Sequence, residues 1–216
     1  MGAPIVNLMN DGGVTDEVKA NRKANYEISP LLLNRWSPRA MSGEALSDDE
    51  LFPLFEAARW APSSFNAQLW RFIVGRRERR EEFEKFVGLL VPGNQVWARN
   101  ASALAVVVSS TRFELYDRPS VTHAFDTGAA WENLAIEAAR RGLVAHGMEG
   151  FDYARARKEL GVPDHFEVHA MLAIGKRAPA ESLPEKYRAA EHPNTRRPLH
   201  EIVFEAKFGQ TIPGLP

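Results

Sequence analysis

The sequence predicts an α+β (mixed α/β) fold. Amphipathic helical patterns and short apolar strand patterns alternate irregularly along the chain, and no segment repeats. The chain has 216 residues, of which 44% are hydrophobic and 25% are charged, the usual mixture of a globular protein. Residues 1–30 lack strong periodicity, so we expect an N-terminal arm there and a single domain with a C-terminal strand over 31–216.

Four helices are predicted from caps and apolar spacing. Ser47 and Glu50 form a capping box at the start of the first helix. A second amphipathic helix lies in "RRERREEFEKFVGLL", whose charges belong to a solvated face. The longest helix is predicted over 123–141, before Gly142. Its apolar residues cover more than one side, which is typical of a helix in a core or at a subunit interface. "FDYARARKELGVP" is the fourth, with Asp152 as N-cap.

Four segments have the apolar and β-branched composition of strands. They read "LWRFIVGR", "ALAVVVSS", "FEVHAMLAIG" and "LHEIVFEAKFG". The second is apolar throughout, so we expect it to be buried on both faces of a sheet. The fourth is the predicted C-terminal strand.

Charge and composition argue against several classes of function. The net charge is -1, from 27 basic and 28 acidic residues, so no broad electrostatic field attracts nucleic acid or an anionic membrane. The absence of cysteine excludes disulfides, thiol nucleophiles and cysteine metal sites. The N-terminus does not resemble a signal peptide, and no apolar run approaches the roughly 20 residues of a membrane span. We expect a cytoplasmic protein without nucleic-acid or membrane partners.

The common phosphate-binding, dinucleotide-binding and nucleophile-elbow motifs are absent. His165 and His169 lie four residues apart, which is the spacing of one zinc motif. The second histidine lies in a predicted strand, however, where four residues span about 13 Å. We therefore expect no metal site.

Four polar clusters could hold a ligand, and each also has an ordinary structural explanation. Arg35, Ser37 and Arg39 in "RWSPR" point to one side of an extended chain, which suits a phosphate or, taken alone, a surface ion-paired cluster. "PSSFNAQ" offers hydroxyl and amide groups to a ligand or to a local turn. In "MEGF" the glycine allows close approach of a flat ligand. "NTRRP" holds an arginine pair suited to phosphate or to solvent.

In their order and spacing these clusters resemble the nitroreductase family of flavin mononucleotide (FMN) enzymes. The resemblance runs from about Arg35 to Phe208 and is carried by "APSSFNAQLWRF", "GLVAHGMEGF", "AIGKRAP" and "RRPLHEIVFEAKFG". It implies a three-layer fold in which helices flank a central mixed, mainly antiparallel sheet. It also implies an interlocked homodimer, joined by the long helix and the C-terminal strand, with the active site at the subunit interface.

The resemblance also implies which residues hold the FMN. The first and last clusters would bind its phosphate and ribityl chain, and the two middle clusters would contact its rings, partly across the dimer. Trp36 stands where many members have a second basic residue, and Leu69 stands where proline is usual. The expected cofactor-binding residues are Arg35, Trp36, Ser37, Arg39, Pro62, Ser63, Ser64, Asn66, Gln95, Met148, Glu149, Gly150, Arg196 and Arg197.

The reaction implied by the resemblance is a ping-pong hydride transfer. NADH or NADPH would reduce the flavin, and an electron-poor acceptor such as a nitroaromatic or a quinone would then take the same face. No catalytic side chain is required, and Tyr116 and His123 are the candidates for the substrate pocket. The alternatives are a dehalogenase, a dehydrogenase or a flavin-degrading enzyme on the same fold, a non-catalytic flavin-binding protein, and an α/β protein without flavin.

Overall fold

The computed structural model describes residues 13–216, so residues 1–12 of the expected arm lie outside the described residues. The chain divides into two compact units. One comprises the chain up to Trp36 together with His192–Pro216, and the other comprises Ser37–Glu191. The division expected from the sequence, an arm over 1–30 and one domain over 31–216, stays a prediction.

The first unit contains little regular structure in its described residues, 13–36 and 192–216. It has two short helices, α1 (Asp16–Lys19) and α2 (Pro30–Asn34), and a 3-10 turn at Leu199–Glu201. The backbone N–H of Thr15 donates to Asn34 Oδ1 at 3.0 Å, which joins the start of α1 to the end of α2.

The segment "LHEIVFEAKFG" does not form the strand expected from its sequence. After the 3-10 turn it continues through bends, and Ala206 has a positive φ of 59°. Ile202 and Phe208 are exposed. A strand needs a hydrogen-bonding neighbour, and the described part of the first unit offers no strand to pair with.

The second unit is built around a four-stranded sheet with the order β1-β2-β6-β5, in which every neighbouring pair is antiparallel. Two shorter strands, β3 and β4, pair separately as a hairpin. In chain order the elements are α3 (Asp48–Arg59), β1 (Trp70–Arg76), α4 (Arg80–Leu89), α5 (Pro92–Ala98), β2 (Ala103–Ser110), β3 (Arg112–Phe113), β4 (Arg118–Pro119), α6 (His123–Arg140), β5 (Leu143–Met148), α7 (Tyr153–Glu159), β6 (Phe166–Lys176) and α8 (Glu185–Arg188), with 3-10 turns at Ser64–Asn66 and Ala180–Ser182.

Helices cover both faces of this sheet and produce two hydrophobic cores. On one face α4, α5 and α7 pack against alternate residues of β2, including Val106. On the other face α3 and α6 pack against the intervening residues, including Val107. β2 is buried along its whole length, as its continuous apolar sequence predicts. The predicted α+β, three-layer architecture is therefore confirmed. Within residues 13–216, no helix has the length and apolar character needed to cross a bilayer.

The local signals in the sequence locate the helix ends well. Ser47 N donates to Glu50 Oε2 at 2.9 Å, which confirms the capping box of α3. Asp152 accepts from Arg155 N at 2.9 Å and is the N-cap of α7. The long helix α6 ends one residue before the predicted position, and Gly142 has the expected positive φ, 71°.

Sequence reasoning missed β5, the edge strand that leads to "MEGF". β5 is only six residues long and begins directly after Gly142, so the end of the preceding helix obscures its short apolar pattern. It pairs with β6 from Leu143 opposite Lys176 to Met148 opposite Met171. This pairing fixes the position of the "MEGF" segment.

His146, in the middle of β5, fastens the chain that begins the second unit. Its Nδ1 lies 3.0 Å from Pro38 O, so this nitrogen carries a proton and donates it. The imidazole packs against the buried ring of Trp97, with 4.6 Å between centroids. Burial lowers the pKa of His146, the charge of Arg39 lowers it further, and the hydrogen bonds that the imidazole makes to the backbone of Pro38 and Ser37 oppose both effects.

We predict that the free energy of unfolding falls as the pH falls below about 6.5, the ordinary pKa of histidine. In that range the unfolded chain binds a proton at His146 and the folded chain, with its lowered pKa, does not, so acid favours unfolding. Urea unfolding at about pH 5.5 and about pH 7.5 measures the loss. His146→Gln should reduce the loss, whereas the exposed control His200→Gln should leave it unchanged. An equal loss in wild type and His146→Gln would contradict this account.

Candidate functional site

Three arginines of the first unit lie close together. Arg22 donates to Arg35 O at 2.8 Å and to Asn194 O at 2.9 Å. Arg196 donates to the side-chain oxygen of the same asparagine at 2.9 Å, and Arg22 approaches that oxygen at 3.4 Å. One guanidinium therefore ties the chain that carries Arg35 to the loop that carries Arg196.

This cluster concentrates positive charge. The pKa of Arg22 is lowered from its ordinary value, first by burial and then by the charges of Arg196 and Arg35. Within residues 13–216, the hydrogen bonds of Arg22 and Arg196 go to backbone carbonyls and to the Asn194 amide, and neither pairs with a carboxylate. An anion bound beside Arg22 would offset the repulsion that Arg22 experiences from Arg196 and Arg35. The cluster fits a phosphate group.

The two neighbouring arginines of "NTRRP" differ in their surroundings. Arg197 is largely exposed, and its Nη1 lies 3.2 Å from Glu201 Oε2. Arg196 is the one that lies beside Arg22. An open cavity of about 710 Å³ in this unit is lined by residues 19–26 and 195–199, with both arginines on its wall.

Sequence reasoning missed Arg22 and Asn194. Arg22 lies in "VKANRKAN", a weakly periodic stretch assigned to the arm, and its only signal was the local excess of lysine and arginine. Asn194 directly precedes the recognised "TRRP". Both act on the backbone or side chain of a distant segment, and a single sequence carries no record of such a contact.

In the second unit, a nearly buried carboxylate fixes the "SPR" segment. Glu191 is 8% exposed. Its two oxygens accept from Arg39 N at 2.9 and 3.0 Å, and one of them also accepts from Ala40 N at 2.9 Å. Charge-assisted bonds of this kind hold the backbone of Arg39 and Ala40 in one position, directly after Ser37. Trp36, the last residue of the first unit, is half-buried.

The "PSSFN" turn is held by a second buried carboxylate. Ser64 N donates to Oδ2 of Asp126, which is 4% exposed and lies in the first turn of α6. Ser63 Oγ accepts from Gln68 N at 3.1 Å, and Gln68 Nε2 lies 3.2 Å from Asn66 Oδ1. Hydrogen bonds within the turn therefore account for part of the polar cluster in "PSSFNAQ".

Backbone strain nevertheless distinguishes this turn. Phe65, Asn66 and Gln68 all have positive φ, at 54°, 54° and 49°. A non-glycine residue is uncommon in this region, and such strain is concentrated at binding sites. Pro62 and Asn66 are exposed, and Ser63 and Ser64 are half-buried. The turn thus presents an amide and two hydroxyls on a rigid backbone.

The "MEGF" segment lies against α5. Gly150 O accepts from Val91 N and from Asn94 Nδ2, both at 3.1 Å. A Cβ at Gly150 would lie only 2.7 Å from Asn94 Nδ2. Close packing of α5 therefore explains this glycine without any ligand. The Met148 side chain is buried in the core, which leaves its backbone for contact, and Glu149 is exposed.

Gln95, the amide expected to contact the flavin, already has a partner at the end of α4, just before its own helix. Its Nε2 donates to Leu90 O at 2.7 Å. The preceding residue, Asn94, is the amide that touches the "MEGF" segment. Asn94 is therefore a further candidate, and the role of Gln95 stays a prediction.

The two substrate-pocket candidates lie in different surroundings. Tyr116 is exposed, and its ring packs edge-on against Phe65 with 5.8 Å between centroids. His123 lies in a polar network, where its Nδ1 is 2.8 Å from Oγ of the fully buried Ser109. The same hydroxyl is 2.6 Å from His169 Nε2, and burial lowers the pKa of His169. Across residues 13–216, no group of three histidine or acidic side chains is arranged to hold a metal ion.

Comparison with known proteins identifies the family. The model of the nitroreductase family matches residues 32–176. A crystal structure of an oxidoreductase containing FMN is 41% identical, covers 88% of this chain and 97% of its own, and has a TM-score of 0.83. An uncharacterised 15.4 kDa protein of Mycolicibacterium smegmatis is 35% identical over 150 residues, which are 66% of this chain and 99% of that protein.

A more distant structure has the same fold. A protein of Exiguobacterium sibiricum, solved in complex with FMN, is 20% identical, with a TM-score of 0.68 over 85% of this chain and 99% of its own. The family match covers more than half of the 216 residues and confirms the resemblance drawn from the four clusters. The chain belongs to the nitroreductase family.

Proposed function

We propose that the protein is an FMN-dependent oxidoreductase that transfers hydride from NADH or NADPH to an electron-poor acceptor, such as a nitroaromatic or a quinone, in a ping-pong cycle. The observation that carries this proposal is the convergence of positive charge on Arg22, Arg35 and Arg196, which suits a phosphate. Family membership and the FMN content of a relative 41% identical to this chain support the choice of FMN.

Arg35 and Arg196 would bind the phosphate. Arg22 acts as a positioning residue, because its own N–H groups already donate to backbone carbonyls and to Asn194. Ser37 and Arg39 are assigned to the ribityl and phosphate end of the cofactor, and Glu191 holds the backbone of Arg39 and Ala40. Arginine suits this task since its planar fork matches phosphate oxygens. Arg197 belongs to the rim, where it pairs with Glu201.

The strained turn and the "MEGF" segment would contact the rings of the cofactor. Ser63, Ser64 and Asn66 would offer hydroxyl and amide groups from the partner subunit, and the backbone of Met148–Gly150 would line the other side. Asn94 and Gln95 supply amides beside that segment. Bound FMN would supply the hydride-accepting ring system, and the protein would orient it and exclude water.

Absorbance spectroscopy tests the cofactor and the reaction in sequence. The purified protein should bind FMN, and NADH or NADPH should bleach the bound flavin under anaerobic conditions because hydride reduces the ring. Protein that takes up no added FMN would contradict the cofactor assignment. Protein that binds FMN but is bleached by neither reductant would instead be a flavin-binding protein without turnover.

We also propose that two chains form a homodimer with the active site at their interface. Large apolar side chains are exposed around the strained turn and the start of α6, namely Trp60, Phe65, Val121 and Phe125. Phe125 is 82% exposed and Val121 is 95% exposed, and a surface of this kind is typical of an interface. A covered α6 also agrees with its apolar residues on several sides.

Dilution should release FMN in step with dissociation of this dimer, because the "PSSFN" turn would contact the partner's flavin. Sedimentation velocity recorded at a wavelength that flavin absorbs shows whether FMN sediments with the dimer, with the monomer or free. Phe125→Glu should raise the dimer dissociation constant and the FMN dissociation constant together. FMN that sediments with a monomer would contradict an interfacial site.

A further inference from the structure

Arg118 lies among three aromatic side chains at the β3–β4 hairpin. Its guanidinium carbon is 4.8 Å from the ring centroid of Phe113, 5.2 Å from that of Phe65 and 5.8 Å from that of Tyr116. The three rings contact one another edge-on, with centroids 5.8 to 6.3 Å apart. These distances fall within the roughly 6 Å range of cation–π attraction, so the rings hold the guanidinium in place.

The carboxylates of the same hairpin have other partners. Asp117 lies 2.8 Å from Arg112 Nη2, and Glu114 lies 3.2 Å from Arg71 Nη2. Within residues 13–216, the guanidinium of Arg118 forms no hydrogen bond and no ion pair, although the backbone of this residue pairs with Phe113, and the side chain is exposed. Its aromatic neighbours lie within about 6 Å of the guanidinium carbon but are weak acceptors for its N–H groups. Those donors remain for a ligand.

This arginine is attached to the strained turn. Phe65, one of its three aromatic neighbours, lies between Ser64 and Asn66, and Ser64 is fixed through Asp126. Phe65 itself has a φ of 54°. The charge of Arg118 is therefore carried on a rigid support directly beside residues that the proposed function assigns to the flavin rings.

We propose that Arg118 binds an anionic group, a phosphate or a carboxylate, on a substrate that reacts at the flavin, and that it gives the enzyme a preference for negatively charged substrates. This inference rests on the proposed function, since it needs a substrate at the flavin. A guanidinium donates in a planar fork to two oxygens of either group, and neighbouring apolar rings strengthen the interaction by reducing local solvation. The anion is either a phosphate of the nicotinamide dinucleotide (NADH or NADPH) or an acid group of the acceptor.

Steady-state kinetics of the FMN-loaded enzyme distinguishes these two sources. The acceptor arm compares 4-nitrobenzoate with the uncharged 4-nitrobenzamide. The reductant arm compares NADPH with an uncharged N-benzyl dihydronicotinamide. Arg118→Gln should lower kcat/KM for the anionic member of one pair by about tenfold, as expected from the loss of one charge-assisted contact, and leave its neutral member unchanged. A loss confined to one arm identifies the source of the anion.

Two further variants control this comparison. Arg118→Lys should retain part of the preference for anionic substrates, because lysine keeps the positive charge but lacks the planar guanidinium. It also serves as a second variant in case the hairpin loosens in Arg118→Gln. Arg80→Gln removes the same charge from an exposed position on α4 and should change neither arm. Equal effects on charged and neutral substrates in FMN-loaded Arg118→Gln and Arg118→Lys would overturn the role of Arg118 alone. Wild-type protein without FMN binding would overturn the proposed function and this inference with it.

Discussion

Charged side chains fix the backbone of the loops assigned to the cofactor. Arg22 donates to carbonyls of the chain around Arg35 and Asn194, and in the second unit Glu191 accepts the N–H groups of Arg39 and Ala40. Asp126 does the same for Ser64 in the strained turn. Short loops that carry polar groups have few apolar contacts to hold them, so a charge-assisted hydrogen bond is an effective restraint. The proposed function depends on these restraints, because a binding site requires fixed donors.

The same arrangement explains why like charges can be held together in the first unit. Arg22 satisfies most of its donors on oxygens of the chain, so its role is structural, but the charges of Arg196 and Arg35 still act on it. The folded chain thereby accepts a repulsion that a bound phosphate would remove. Binding of such an anion should therefore stabilise the fold as well as complete the site.

The sequence predicted the parts of the structure that local chemistry determines. The capping box of Ser47 and Glu50, the N-cap Asp152 and the buried strand β2 all follow from patterns within a few residues. β5 was missed because six residues after a helix end give too short a pattern. The C-terminal segment is not a strand within one chain, because its apolar residues say nothing about whether a pairing strand is available, and its expected role across a dimer stays a prediction.

The candidate site was only partly predictable for the same reason. Family motifs drew attention to the segments that carry Arg35, Ser64 and Gly150, but they did not reveal what holds each one. Arg22 and Asn94 act on residues far away in the chain, and Gly150 has a packing role that its motif does not indicate. Contacts between distant segments are the information that periodicity and spacing lack.

The proposed function requires the arginine cluster of the first unit to bind the phosphate of FMN. Riboflavin differs from FMN only in lacking that phosphate. The affinity for FMN divided by the affinity for riboflavin, both measured by fluorescence titration, therefore isolates the contribution of the phosphate to binding. Arg196→Gln should reduce this ratio by about tenfold or more, because one charge-assisted contact is lost. Arg197→Gln, the adjacent residue already paired with Glu201, should leave the ratio nearly unchanged. An unchanged ratio in Arg196→Gln, or an equal fall in both variants, would contradict the account.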